Sequence, residues 1–278
     1  MKKLLAFVLI LISARLFAQS NSCCNLSVNA QNNMLAMNED FAKTHLNPLP
    51  FKLQNARGIM VEFKTPDGKT GHAYLVKNDK PTSKVIFVYH EWWGLNDYIK
   101  QEADKLQAEI GDVDVYAIDL YDGMVATTRE DAQKYMGQMN EDRSKAIIQG
   151  AITLVGTKAR ITSIGWCMGG GWSMQSALLE GKQAAGCVMY YGMPESNITK
   201  LKTLNCDILG IFGTQDKFIN PEVVKTFQAN MQKAGKKVTV HNYNADHAFA
   251  NPSNPKFNKE FTEDAHAKTI AYIKQKFA

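Results

Sequence analysis

The sequence predicts an α/β domain with a mostly parallel central sheet and helices on both faces. Three observations carry that expectation. Strand-like and helix-like stretches alternate from residue 84 to the C-terminus. The strand-like stretches are near-continuous apolar runs, as strands buried on both faces require. No internal repeat, low-complexity tract or linker divides the alternating region, so a single domain is expected over residues 57–278.

The elements follow in order. "GIMVEFKTPDGKTGHAYLVK" reads as two strands joined by a turn at Pro66-Asp67-Gly68, a leading hairpin of the main sheet. "KVIFVYH" (84–90) is a β-branched buried strand, and 97–110 a helix with apolar residues at helical spacing. A second buried strand covers 113–121, and 130–157 holds one broken helix or two consecutive ones. "ITSIGW" (161–166) is a strand and 171–181 a helix closed by Gly181. Strands at 184–192, 206–216 and 237–247 alternate with helices at 220–235 and 261–277. Residues 19–56 are rich in Asn and Gln and weakly periodic, which predicts an extended arm with one short helix before "NPLP".

The first 18 residues combine a basic start (Lys2, Lys3), an apolar run and Ala18 at a cleavage position, the pattern of a secretory signal peptide. The run is short for a membrane-spanning helix. An exported, periplasmic or secreted protein is expected, with no stable membrane insertion after signal removal. Cleavage takes Lys2, Lys3 and Arg15 from the 32 basic residues, leaving 29 against 27 acidic ones. A mature charge of +2 gives no ground for nucleic-acid binding, since the basic balance comes partly from the signal. Five cysteines (Cys23, Cys24, Cys167, Cys187, Cys206) leave at least one thiol unpaired within an exported chain. Cys187 and Cys206 lie in apolar strands and read as buried hydrophobes, with a bridge between them the alternative.

The chemistry concentrates in "IGWCMGGGWS" (164–173). Cys167 stands where a dinucleotide-binding fingerprint needs its second glycine, and the Lys-Ser/Thr ending of a P-loop is missing. The stretch instead fits Gly-x-nucleophile-x-Gly between a strand and a helix, the strained elbow that presents a nucleophile at the top of a sheet. Small residues at Gly165 and Gly169 let the chain fold back, and the helix N-terminus favours negative charge at Cys167. The plain alternative is a small buried hydrophobe. A thiol nucleophile wants a base and the base an orienting acid. Asp216 and His247 follow successive later strands and complete the nucleophile–acid–histidine order of α/β-hydrolases. His241, within a strand, is the rival base, and Asp246 the rival acid. In "YHEWWGLNDY", Glu91 and Trp92 follow a buried strand where such folds place an oxyanion donor. The backbone N–H groups of Trp92 and Met168 are therefore the expected oxyanion hole. "HEWWG" is not a zinc motif, because Gly94 replaces its second histidine.

Taken together and in order, "HEWWGLNDY", "IDLYDG", "GWCMGGGW", "GTQDKFINPE" and "ADHAFAN" resemble the dienelactone hydrolase family over roughly residues 57–277. The resemblance implies an α/β-hydrolase fold, a triad of Cys167, His247 and Asp216, and a glutamate matching Glu91 that contacts the resting thiol and aids its activation. No cofactor and no metal are expected. The chain departs from the family at Asn251, where an arginine is found in the dienelactone-opening enzyme; Arg129 and Arg143 lie in the region of a second substrate arginine. Trp93, Trp172, Phe249 and Tyr135 are candidate pocket residues, with core packing the alternative for each. The expected reaction is hydrolysis of a small-molecule ester or lactone through a thioester. Glu91 close to Cys167 would hold the resting thiol neutral by disfavouring a second negative charge. Two other functions fit parts of the pattern, a ligand-binding relative without catalysis and a thiol redox protein using Cys167.

Overall fold

A computed structural model describes residues 26–254 and 256–278. The first 18 residues, expected above to be a signal peptide, and Cys23 and Cys24 lie outside the described residues. Helices α1 (Val28–Ala36) and α2 (Glu39–Lys43) precede the hairpin β1 (Ile59–Lys64) and β2 (Thr70–Val76). Then come β3 (Lys84–Tyr89), α3 (Asp97–Ile110), β4 (Asp114–Ile118), α4 (Arg129–Gly137), α5 (Glu141–Val155), β5 (Arg160–Trp166) and α6 (Met168–Glu180). The chain ends with β6 (Ala184–Tyr190), α7 (Ile198–Leu201), β7 (Ile208–Gly213), α8 (Pro221–Lys233), β8 (Val238–Tyr243) and α9 (Lys259–Phe277).

The strands form one eight-stranded sheet in the order β1-β2-β4-β3-β5-β6-β7-β8. The hairpin joins it antiparallel through β2 and β4, and the pairs from β4 to β8 are parallel. Burial follows position in the sheet. The inner strands β5, β6 and β7 are buried almost throughout, whereas β8 and β1 at the two edges alternate or face water. α3 and α9 pack together over one face; α5 and α6 cover the other.

Local chemistry sets the element boundaries. Asn140 caps α5 by accepting the Arg143 N–H, which resolves 130–157 into two helices. Asn220 accepts two N–H groups at the start of α8, and Pro221 opens that helix where no intrahelical donor is needed. Two expectations change. α6 begins at Met168, not at residue 171, because the glycine run packs as the helix's first turn against β3 and β6. Residues 26–56 are not an extended arm: α1 and α2 fold back so that Phe41 and His45 are buried.

The direction of chain progression reverses at β3, since β4 lies on one side of it and β5 on the other. The loops leaving the C-terminal ends of β3 and β5 therefore part at this point and open a crevice, the usual position of a site in open α/β sheets. These two loops carry Glu91, Trp92 and Cys167.

Candidate active site

Cys167 sits between β5 and α6 at φ 54° and ψ −121°, a conformation that L side chains rarely adopt. The strained turn is held from outside the residue: its N–H donates to Tyr190 O at 3.0 Å, and its carbonyl accepts from Gly170 N–H at 3.0 Å. A methyl at Gly165 would collide with the Gly169 carbonyl, and one at Gly169 with the carbonyls of Tyr89 and His90. Glycine at both positions is what lets α6 approach β3 closely enough to form the elbow.

Around the thiol the expected partners converge. His247 Nε2 lies 3.2 Å from Cys167 Sγ, and its Nδ1 lies 2.6 Å from Asp216 Oδ2. With the Nδ1 proton directed to Asp216, Nε2 is the nitrogen that shares a proton with the thiol. Asp216 is fixed in turn, because Oδ1 accepts the N–H groups of Phe218 and Ile219 at 2.8 and 3.0 Å. Burial works against charge on His247, but the Asp216 carboxylate and Cys167 outweigh it and hold the imidazole pKa well above its usual value. Burial likewise opposes charge on Asp216, and the histidine overcomes it, keeping that carboxyl below the usual range. Asp246, the rival acid, turns away: Oδ1 caps the His247 N–H and Oδ2 pairs with Lys256. His241 stays half-buried on the edge strand β8.

Glu91 is buried beside this group. Tyr191 Oη donates to its Oε1 at 3.3 Å, and Asn251 Nδ2 donates to its Oε2. Its hydrogen bonds thus run to these two neutral groups and not to Sγ. Burial pushes its pKa up to about 7, with His247 and the two hydrogen bonds pulling the other way. The neighbouring His90 locks the loop, with Nδ1 2.6 Å from Glu91 O and Nε2 accepting the Leu120 N–H at 3.1 Å. Met168 N–H lies in the first turn of α6, where no intrahelical acceptor exists. Neither this group nor the Trp92 N–H has a hydrogen-bond partner among the described residues.

The candidate pocket residues separate. Trp93 lines a cleft with Glu91, Tyr98, Trp166, Tyr190 and Asn251, a cleft that Cys167 and His247 do not reach. Trp172 and Phe249 are fully buried in the core, Phe249 between Tyr191 and Tyr243, so packing accounts for both. Tyr135 packs edge-on to Tyr121. Arg143 is not free to meet a substrate, because its guanidinium pairs with Asp67 and Asp122 and donates to Thr70 O. Arg129 pairs with Glu130 at the surface. Cys187 and Cys206 are both free thiols, and Cys187 faces Ser173.

Sequence reasoning missed the contribution of the N-terminal extension. Phe41 packs edge-on to Trp92, Phe218 and His247, and His45 lies 4.3 Å from Trp92 and 5.3 Å from His247 between ring centroids. Burial, and then His247, lowers the His45 pKa to about 3, so this imidazole is neutral. Cys167, His247 and His45 are each at most 4% exposed, so the extension roofs a closed site. Nothing in the spacing of "EDFAKTHLNP" signals this, since two buried residues in a five-residue helix make no periodic pattern.

The chain matches the dienelactone hydrolase family over residues 72–277. It is 30% identical over 232 residues to Protein usf of Aquifex pyrophilus, covering 78% of this chain and 98% of that one. It is 25% identical to Carboxymethylenebutenolidase 1 of Cupriavidus pinatubonensis, covering 77% and 95% of the two chains. Among solved structures, the dienelactone hydrolase-like promiscuous phosphotriesterase P91 from metagenomic libraries superposes with a TM-score of 0.64 at 18% identity, over 79% of this chain and 98% of its own. The α/β-hydrolase architecture, the crevice at β3 and β5 and these matches agree: the chain belongs to the dienelactone hydrolase family.

Proposed function

We propose that the protein hydrolyses a small ester or lactone, with Cys167 as nucleophile, His247 as acid–base and Asp216 as the group that orients and charges the histidine. The observation that carries this reading is the strained thiol 3.2 Å from an imidazole whose other nitrogen is fixed by a buried carboxylate. In acylation the Sγ–H proton passes to His247 Nε2 while sulfur bonds to the substrate carbonyl carbon. The negative oxygen of the tetrahedral intermediate would meet the N–H groups of Trp92 and Met168, both without a hydrogen-bond partner among the described residues. Collapse breaks the carbon–oxygen bond, and His247 returns the proton to the leaving alkoxide. Water then attacks the thioester, giving one proton to His247, and the released thiolate recovers it.

Glu91 has a regulating role in this scheme. With its pKa near 7 it changes charge in the working range, and its ionised form disfavours a thiolate nearby. Substrate binding would reorganise the Tyr191 and Asn251 hydrogen bonds that hold it. Asn251 in place of the family arginine, and Arg143 tied to aspartates, favour an uncharged substrate over a carboxylated one. Export fits the signal-like first 18 residues, and N-terminal sequencing of the mature protein tests it.

The test is hydrolysis of p-nitrophenyl acetate by the chain lacking residues 1–18, beside a Cys167→Ala control. Multiple turnovers, lost in the control, are expected. Turnover that survives Cys167→Ala would remove the nucleophile from the mechanism.

A further inference from the structure

His45 is used by neither the triad nor the oxyanion hole, yet it is built into the site. It is buried, and its Nδ1 is engaged 3.0 Å from Phe41 O and 3.1 Å from Thr44 Oγ1. Its Nε2 is buried and has no hydrogen-bond partner among the described residues. One imidazole nitrogen of His45, one of His247 and Cys167 Sγ all lie within 4.8 Å of one another, and His247 Nε2 is 3.2 Å from Sγ. Two imidazole nitrogens and a thiolate are a donor set for a borderline-soft d¹⁰ cation.

We propose that His45, Cys167 and His247 form a zinc(II) site that switches the enzyme off. Zinc bonds of about 2.0–2.1 Å to nitrogen and 2.3 Å to sulfur place tetrahedral ligand atoms about 3.3–3.6 Å apart. The Cys167–His247 pair is already at 3.2 Å, and His45 has only to swing inward from within 4.8 Å. Nδ1 is engaged on both histidines, by the Asp216 carboxylate on one and a backbone carbonyl on the other, which leaves Nε2 of each as the nitrogen to bind a cation. That carboxylate and carbonyl are the outer-shell partners that orient histidine on zinc. Binding exchanges the thiol proton, released to solvent, for a sulfur–zinc bond, and water takes the fourth position. The ion would pin the N-terminal extension to the elbow and withdraw thiol and imidazole together. Loss of turnover rests on the nucleophile proposed above; the binding itself does not.

The experiment titrates the signal-free chain, carrying Cys23→Ser and Cys24→Ser so that those thiols do not compete, with zinc against a chromophoric chelator. One equivalent should bind, with affinity reduced at least ~100-fold by His45→Gln or Cys167→Ser, since losing a ligand costs at least as much as losing a group that orients one. Cobalt(II) should give a thiolate-to-metal charge-transfer band that Cys167→Ser abolishes, a readout independent of activity. No stoichiometric zinc, equal affinity in His45→Gln, or cobalt without that band would each overturn the site. If the cobalt signature is present but chelated protein still hydrolyses no ester, the site stands and the proposed hydrolysis fails. Zinc-sensitive ester turnover restored by chelator supports both.

Discussion

Around Cys167 the backbone has almost no freedom. Two glycines touch neighbouring carbonyls, a cysteine holds a positive φ, and hydrogen bonds from β6 and α6 close the turn. The α1–α2 extension reaches the same thiol by different means. No backbone–backbone hydrogen bond joins residues 26–56 to the remainder among the described residues; its polar ties all use a side chain, as in Asn29 and Asn33 to Met139 O. Asn29 Oδ1, Asn32 Nδ2, Asn33 Oδ1 and His45 Nε2 are buried without partners. One half of the site is held by main-chain geometry and the other by packing, so the second should open at far lower cost.

The strongest way to break the rigid half is Gly169→Ala. Its methyl meets two main-chain carbonyls that cannot turn aside, so a loss on the order of 5 kcal/mol is expected, at the exceptional end for one substitution. Urea unfolding measures it, and a loss below 1 kcal/mol would show that α6 can retreat from β3.

Beneath the elbow, Glu180 accepts from Ser163 of β5 and, at 2.7 Å, from Ser176 of α6. Burial raises its pKa from 4.5 to about 8, the two serines opposing. The folded protein therefore holds a proton that the unfolded chain has lost, so stability falls as pH rises from 4.5 to about 8. Glu180→Gln removes that slope. Relative to wild type it should be neutral near pH 5 and more stable by on the order of 4 kcal/mol at pH 9. Unfolding curves at both values decide, and a pH-independent difference would refute the buried proton.

For the packed half the informative change is Phe41→Ala. Phe41 is fully buried against Trp92, Phe218 and His247, and its loss should cost about 3 kcal/mol where it is felt. The extension, held by packing, should feel it alone. Global unfolding should move little, while iodoacetamide labelling of Cys167 should rise about 100-fold as the roof opens. Equal losses in both measurements would mean that extension and domain unfold as one unit.

The same contrast explains what was legible in the sequence. Strand–helix alternation, the leading hairpin and the elbow were readable because each has a local cause: an apolar run, a Pro-Asp-Gly turn, glycines on either side of Cys167. Asp216 and His247 were readable because the topology delivers them at the ends of successive strands. His45 and Phe41 were not, because a short helix becomes part of a site only through contacts made after the domain exists. Trp172 and Arg143 erred in the other direction. An aromatic on α6 and an arginine on α5 lie near the site in sequence order, but the core and two aspartates claim them.

The smallest effect tests how the two halves communicate. Glu91 follows β3 in the rigid half and titrates near pH 7, where its charge reaches His247. Ionised Glu91 should slow thiolate formation at Cys167, so wild-type labelling should rise with pH less steeply through pH 7 than a lone thiol's. Glu91→Gln should remove that inflection from the labelling profile. The measurement belongs in the Phe41→Ala background as well, where access is no longer limiting. If the inflection disappears there with Glu91 intact, roof opening and not carboxylate charge sets the pH response. If it persists until Glu91 is replaced, the carboxylate acts on the thiol directly.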